Sequence, residues 1–382
     1  MKLSARSSIS PFIVMEVMAA AAAREAAGGD VLHLEVGQPS TGAPQGVLIA
    51  AHAALRDDRI GYTLALGLPE LRQRIAAHYH AQYGVSIPYE RIVVTTGSSA
   101  GFLLSFLALF DPGDRVAIAS PGYPAYRNIL QVLNIEPVLV QCSADTGFQP
   151  TAEQLALAAN DGPLHGLLVA SPANPTGSML DAAQFRALAA HCRAHGMTLI
   201  SDEIYHGITY GKTARTALDL DPDAVVINSF SKYFSMTGWR LGWMIVPEPM
   251  LRAVERISQN LFISPPTLSQ RAALAAFDCH DELRRNVEMY AANRELLLRE
   301  LPKAGISRFA PADGAFYLYA DVSHLTRDSQ EFCRRMLAET GVAATPGVDF
   351  DPANGHLAVR FSFAGSTQTM AKAAARLKDW LA

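Results

Sequence analysis

The chain has 382 residues, 49% hydrophobic and 18% charged, with 32 Lys and Arg against 36 Asp and Glu for a formal net charge of -4. That length buries a substantial core and usually divides into two domains, while the near-even charge balance, without a Lys/Arg-rich run, argues against a polyanion-binding surface. No uninterrupted apolar stretch approaches the ~20 residues of a membrane span, so the reading is of a soluble globular protein.

The first ten residues lack the continuous apolar region of a signal peptide. The alanine-rich stretch 19–27 carries Arg24 and Glu25 and reads as an amphipathic helix ended by Gly28 and Gly29. Residues 31–36 alternate as a short strand and break at Gly37, which either punctuates a turn or serves a ligand. Helical patterns follow at 47–55 and from Pro69, the second opened by a proline at its start. Between them Gly61, Tyr62 and Thr63 form a loop, in which Tyr62 reads as a surface or packing tyrosine.

A strand at 91–96 meets Gly97, Ser98 and Ser99 at the start of an apolar helix. This strand, small turn and helix can aim backbone N–H groups and a helix dipole at a phosphate, or can be an ordinary serine cap. The next strand, 115–119, ends in a loop where prolines on both sides of Tyr123 fix its direction, as suits an aromatic stacking on a planar ring. Tyr126 is a second stacking candidate, and loop packing is the alternative for both. Strands at 165–170 and 197–200 end at Asn174-Pro-Thr-Gly177 and at Asp202-Glu-Ile-Tyr205. The helix between them carries His191 and His195 on one face, a spacing that can bind zinc but lacks a third ligand and reads as a solvated face.

The apolar strand 224–227 delivers Ser229, Ser231 and Lys232, followed by Gly238, Arg240 and Gly242. Small residues allow close backbone approach, and an arginine one short loop away lets the segment hold a phosphate beside an amine. Beyond residue 247 the pattern is helical to about 301, then strand, helix, strand and helix. Arg360 sits inside the last strand among apolar and aromatic neighbours. A buried guanidinium there needs an anion, and its fork matches a substrate carboxylate; a structural salt bridge is the alternative. The four cysteines, Cys142, Cys192, Cys279 and Cys333, form no C-x-x-C pair and fit reduced thiols in a cytoplasm.

Ser231-Lys232-x5-Gly238-x-Arg240-x-Gly242 resembles the cofactor-lysine signature of the class I/II aminotransferases, fold type I enzymes of pyridoxal 5'-phosphate (PLP). Five motifs fall in that family's order over nearly the whole chain. The resemblance implies an α/β, three-layer fold with a large, mostly parallel sheet domain at 41–285 and a smaller α+β domain from 1–40 plus 286–382. It implies Lys232 as Schiff-base lysine and proton carrier, Asp202 at the pyridine nitrogen, and Asn174 and Tyr205 at the ring oxygen. Tyr123 would cover the ring, while Gly97, Ser98, Ser99, Ser229 and Arg240 would hold the phosphate. Gly37, Asn174 and Arg360 would meet the substrate, and Tyr62 would reach the cofactor phosphate of a partner subunit in a homodimer.

The implied reaction is ping-pong transfer of an amino group from an L-amino acid to a 2-oxo acid. A β-eliminating lyase of the same fold is the alternative, since the motif residues are common to both. An aminotransferase-like transcription sensor would need a basic DNA-binding module ahead of the fold, and a nicotinamide dehydrogenase would need a G-x-G-x-x-G turn that no strand here carries. No arginine presents itself as a second clamp, and Ser99 falls where some acid-specific relatives have lysine, which favours apolar, aromatic or small neutral donors. Ile9, Phe12 and Phe316 are candidates to line the pocket.

Overall fold

A computed structural model of the chain describes residues 1–57 and 59–382. In order, the elements begin with α1 (Ile13–Ala26), β1 (Leu32–His33), α2 (Gln45–Asp57), α3 (Pro69–Tyr83), β2 (Ile92–Thr95), α4 (Gly97–Leu109), β3 (Arg115–Ser120), α5 (Pro124–Val132) and β4 (Glu136–Gln141). They continue with α6 (Ala152–Ala158), β5 (Gly166–Ala170), α7 (Ala182–Ala194), β6 (Thr198–Asp202), β7 (Val225–Ser229), β8 (Gly242–Ile245), α8 (Glu248–Leu261), α9 (Thr267–Ala273) and the long α10 (His280–Glu300). The chain ends with β9 (Arg308–Phe309), β10 (Tyr317–Asp321), α11 (Ser329–Thr340), β11 (Val342–Ala343), β12 (Thr345–Pro346), β13 (Ala358–Ser362) and α12 (Thr367–Trp380).

Seven strands form one sheet in the order β2-β8-β7-β6-β5-β3-β4. Only β8 runs against its neighbours, so the carboxyl ends of the other six share an edge. Both faces of this sheet are dry. Val226 points into a core packed by α3 and α7, while Val225 and Ile227, one residue to either side, point into the opposite core with Phe102, Phe106 and Val254 of α4 and α8. That period-2 division explains why the strands read as continuous apolar runs.

A second sheet, β12-β13-β10-β9, is antiparallel, and β1 pairs in parallel with β11 beside it. Its core joins Leu32 and Leu34 to Tyr290, Phe316, Phe361 and Leu377, with Tyr205 and Ile208 reaching in from the large sheet. The strand expected at 31–36 is only two residues long. Leu34 N–H still reaches the Ala343 carbonyl of β11, but the carbonyls from there on turn to other partners: Ser362 donates to that of Leu34, and the Thr345 hydroxyl and Arg360 donate to that of Glu35. No helix among the described residues is long and apolar enough to cross a membrane.

Candidate active site

Loops leaving the carboxyl ends of β2, β3, β5, β6 and β7 converge on a cavity of about 620 Å³, within the usual size for a cofactor or drug-sized ligand. Open α/β sheets place ligands at this edge, where successive loops diverge.

Asp202, the last residue of β6, forms one wall and is 3% exposed. Its carboxylate accepts from the Tyr126 hydroxyl and, at 3.0 Å, from the Ile204 N–H. Burial pushes its pKa up to about 6 against the pull of those two donors. Lys232, three residues past β7, donates from Nζ to the Gly37 carbonyl at 2.6 Å. Its Nζ also stands 5.9 Å from the centre of the Tyr205 ring. Burial foremost, then the cations of Arg360 and Arg240, lower its pKa to about 8, with Asp202 opposing.

At one end of the cavity α4 begins without a side-chain cap on Thr96, so its first N–H groups are free to meet an anion beside Ser98 and Ser99. Gly97 has φ 75°, and a Cβ there would lie 2.3 Å from Arg240 Nη2, so only glycine lets the arginine lie across the turn. Arg240 itself takes a left-handed conformation, φ 50°, anchored by its Nη1 on the Thr237 carbonyl at 3.1 Å. Ser229 does not reach the cavity as expected. It is buried, with its hydroxyl 3.0 Å from the Leu241 carbonyl and 2.9 Å from the Ser231 hydroxyl, and Ser231 lines the cavity in its place.

At the other end Arg360 is 3% exposed and held between the rings of Tyr317 and Phe350, 4.4 and 4.6 Å from their centres. Nη1 donates to Asn174 Oδ1 at 2.9 Å, and Nη2 to Thr345 Oγ1 at 3.2 Å and to the Glu35 carbonyl. Nε is buried without a partner. None of these acceptors is a carboxylate, and among the described residues Arg360 makes no salt bridge, Asp349 acting on it only through its field; a buried cation with a spare donor suits an external anion.

Tyr123 lines the cavity and meets Phe12 edge to face at 5.7 Å. Tyr126, expected as a second stacking ring, is instead the hydroxyl donor to Asp202. The Tyr205 hydroxyl pairs with that of Tyr317 at 2.6 Å, and a Cβ on Gly37 would strike the latter at 1.8 Å. Tyr62 is 83% exposed and faces a different depression, with Ser264 and Thr267. Of the three specificity candidates only Phe12 lines the cavity; Ile9 is on the surface and Phe316 is core. Met15 and Met18, one helical turn apart on α1, were not foreseen there. His191 and His195 stack at 4.2 Å on the surface, and no group of three metal-ligating side chains occurs among the described residues.

The lining fits PLP. Three cationic side chains, Lys232, Arg240 and Arg360, face one acid, Asp202, so the cavity favours an anion at each end. The uncapped α4 turn, closed over by Arg240 only because Gly97 lacks a Cβ, suits a phosphate. The buried Asp202 carboxyl suits a protonated ring nitrogen, since among the described residues Lys232 is the one cation acting on it.

Residues 29–377 match the family model for aminotransferase class I and II. The valine–pyruvate aminotransferase of Mycobacterium tuberculosis is 51% identical over 100% of this chain and 98% of its own. The crystal structure of an aminotransferase from M. tuberculosis superposes with a TM-score of 0.97, at 51% identity over 100% of this chain and 99% of that one. Thermus thermophilus aspartate aminotransferase with maleate superposes at 0.93, at 32% identity over 99% of each. Aminotransferase relatives of this kind do not favour the β-eliminating alternative. The chain belongs to the class I and II aminotransferase family, and it is a PLP-dependent aminotransferase of fold type I acting on amino acids and 2-oxo acids.

Proposed function

We propose that the enzyme moves the amino group of a branched or otherwise apolar L-amino acid, valine being the model donor, to a short 2-oxo acid such as pyruvate. The observation that carries this is the pairing of Arg360, with its unpartnered Nε, against an apolar wall of Phe12, Val14, Met15 and Met18. Arg360 takes the carboxylate that every amino acid has, and the wall takes its side chain. Within one subunit the cavity's other guanidinium, Arg240, belongs to the phosphate end, so none among the described residues is left to receive a second carboxylate, and the relation to a valine–pyruvate aminotransferase points the same way.

When bound, PLP supplies an aldehyde carbon that condenses with amines and a ring that accepts the electrons left at the donor's Cα. The residues do the rest. Asp202, aimed by Tyr126, holds the proton on the ring nitrogen. Asn174 and Tyr205 hydrogen-bond the ring oxygen, with Asn174 oriented by Arg360, which leaves its amide N–H groups free to donate. Tyr123 covers the ring, and Gly97, Ser98, Ser99 and Arg240 hold the phosphate, with the Ser231 hydroxyl in the place expected of Ser229. Lys232 would anchor the cofactor through its amine and, once freed, would be the group that takes and returns the donor's Cα proton.

We further read residues 41–285 as the cofactor-binding domain and 1–40 with 286–382 as the smaller one. In a homodimer the exposed Tyr62 would extend to the partner's phosphate site. The four unpaired cysteines support a cytoplasmic setting.

A donor panel tests the substrate reading. With pyruvate as acceptor, kcat/KM for L-valine is expected to exceed that for L-aspartate by about 100-fold or more, the cost of desolvating an unpaired carboxylate against methionines. Equal values would overturn it. Cofactor uptake tests the state of Lys232. An amine attacks an aldehyde only when neutral, so covalent attachment of PLP to the apoprotein should accelerate with pH and level off above about 8. A lysine at the ordinary value of 10.5 would keep accelerating for two further units.

A further inference from the structure

The helix that supplies the apolar wall packs Val17 and Ala21 against Leu337 and Ala343 and is pinned near its far end by Arg24 on the Ala338 carbonyl, while its first turn, nearest the cavity, has a tie of its own. Phe12, at the N-terminal boundary of α1, gives no side-chain cap, and the first turn's N–H groups are met instead by a carboxylate more than 300 residues away in sequence. Asp349 Oδ1 accepts from Ile13 N–H at 3.2 Å and Oδ2 from Val14 N–H at 3.3 Å, on a side chain 2% exposed. Negative charge at a helix N-terminus completes the turn and opposes the helix dipole.

Asp349 closes the short 3-10 turn Gly347–Asp349 between β12 and β13, the strand of Arg360. The next residue, Phe350, lies 4.6 Å from the Arg360 guanidinium and accepts from Gly122 N–H, just before Tyr123, at 3.0 Å. Asp351 accepts from the Ser120 hydroxyl at 3.0 Å at the end of β3. Three successive residues therefore join α1, the carboxylate-binding arginine and the ring-covering loop.

We infer that Asp349 is a positioning residue for donor selection: by tying the first turn of α1 to the turn that packs on Arg360, it sets the distance between the carboxylate clamp and the apolar wall. The inference rests on the reading of that wall as the donor side-chain site. A donor long enough to touch Met15 and Met18 then depends on the tie, and alanine, whose methyl group stays near Cα, does not.

The test uses holoenzyme carrying Asp349→Ala or Asp349→Asn, with the half-reaction of L-valine and of L-alanine followed spectroscopically without acceptor. Asp349→Ala is expected to raise the apparent Kd for valine about 10-fold, with the maximal rate within about twofold and alanine nearly unaffected. Asp349→Asn, which can accept one of the two N–H bonds, should fall between. In the apoprotein of Asp349→Ala, amide exchange at residues 13–18 should quicken about 10-fold while Tm stays within a few degrees. Equal losses for both donors, or unchanged exchange at 13–18, would overturn the inference. Wild-type enzyme inert toward both donors would sink the apolar-donor reading instead, and exchange alone would then decide whether Asp349 holds α1.

Discussion

Replacing Lys232 with alanine is expected to lower kcat by about 10⁴-fold or more, because one side chain serves both as cofactor anchor and as proton carrier. Lys232 owes that double use to its setting. An exposed lysine is neutral in roughly one molecule in a few thousand at pH 7. At a pKa of about 8 the neutral fraction is about one in ten. The lowering comes chiefly from withdrawal from water and then from two neighbouring guanidiniums, and the same guanidiniums are free for anions once the amine is engaged. Borohydride reduction followed by denaturation should leave the cofactor on a peptide containing Lys232 in wild type and on no peptide in the variant. The Arg360, Asp202 and Arg240 contacts are untouched, so the variant should still bind PLP reversibly. Retention of full turnover by Lys232→Ala would refute the mechanism outright.

Most of this site was legible from the chain because its parts stand at strand ends, where apolar runs stop and small or polar residues begin. Lys232, Asn174 and the Gly97 turn each follow a buried strand of β-branched or leucine-rich residues, and Asp202 ends one. What was not legible depends on long-range packing. Ser229 and Ser231 are equally small, polar and near Lys232, and only the antiparallel pairing of β7 with β8, which brings the Leu241 carbonyl within reach, decides which hydroxyl is consumed. Tyr126 lies three residues after Tyr123, one turn along α5, and the helix turns it down onto Asp202. Helix α1 is alanine-rich, and which of its sides faces the cavity depends on partners from the far end of the chain: Val17 and Ala21 pack against Leu337 and Ala343, and Asp349 holds its first turn. Strand β4 was missed because Pro137 interrupts it, which an edge strand tolerates.

The charge arrangement of the cavity also explains why the arginines can be so close to a reactive amine. Each guanidinium is held in place by other contacts while keeping donors for an anion: Arg240 by Thr237, beside the α4 turn, and Arg360 by Asn174, Thr345 and the two rings. Neither competes with Lys232 as a nucleophile, since a guanidinium offers only N–H donors and no acceptor. They act on the lysine only through their fields.

Asp202→Asn is expected to lower kcat by about 10²–10³-fold, the usual cost of removing one preorganised group aimed at charge that develops in the reaction. Asp202 is the sole acid lining the cavity among the described residues. A carboxyl whose pKa burial has raised to about 6 is still mostly ionised at pH 7.5, and a cationic ring nitrogen beside it would draw that value down again. Asparagine keeps the size and the acceptor for Tyr126 but carries no charge, so the ring nitrogen loses its proton and with it much of its capacity to accept electrons. Donor binding should change far less, because Arg360 and the α1 wall are separate from Asp202, and KM for valine is expected to stay within about fivefold. Asp202→Asn should therefore separate kcat from KM where Asp349→Ala moves donor affinity alone. If it instead raised KM and left kcat near wild type, the buried carboxylate would be a substrate contact, and the ring nitrogen would need another partner that this cavity does not provide.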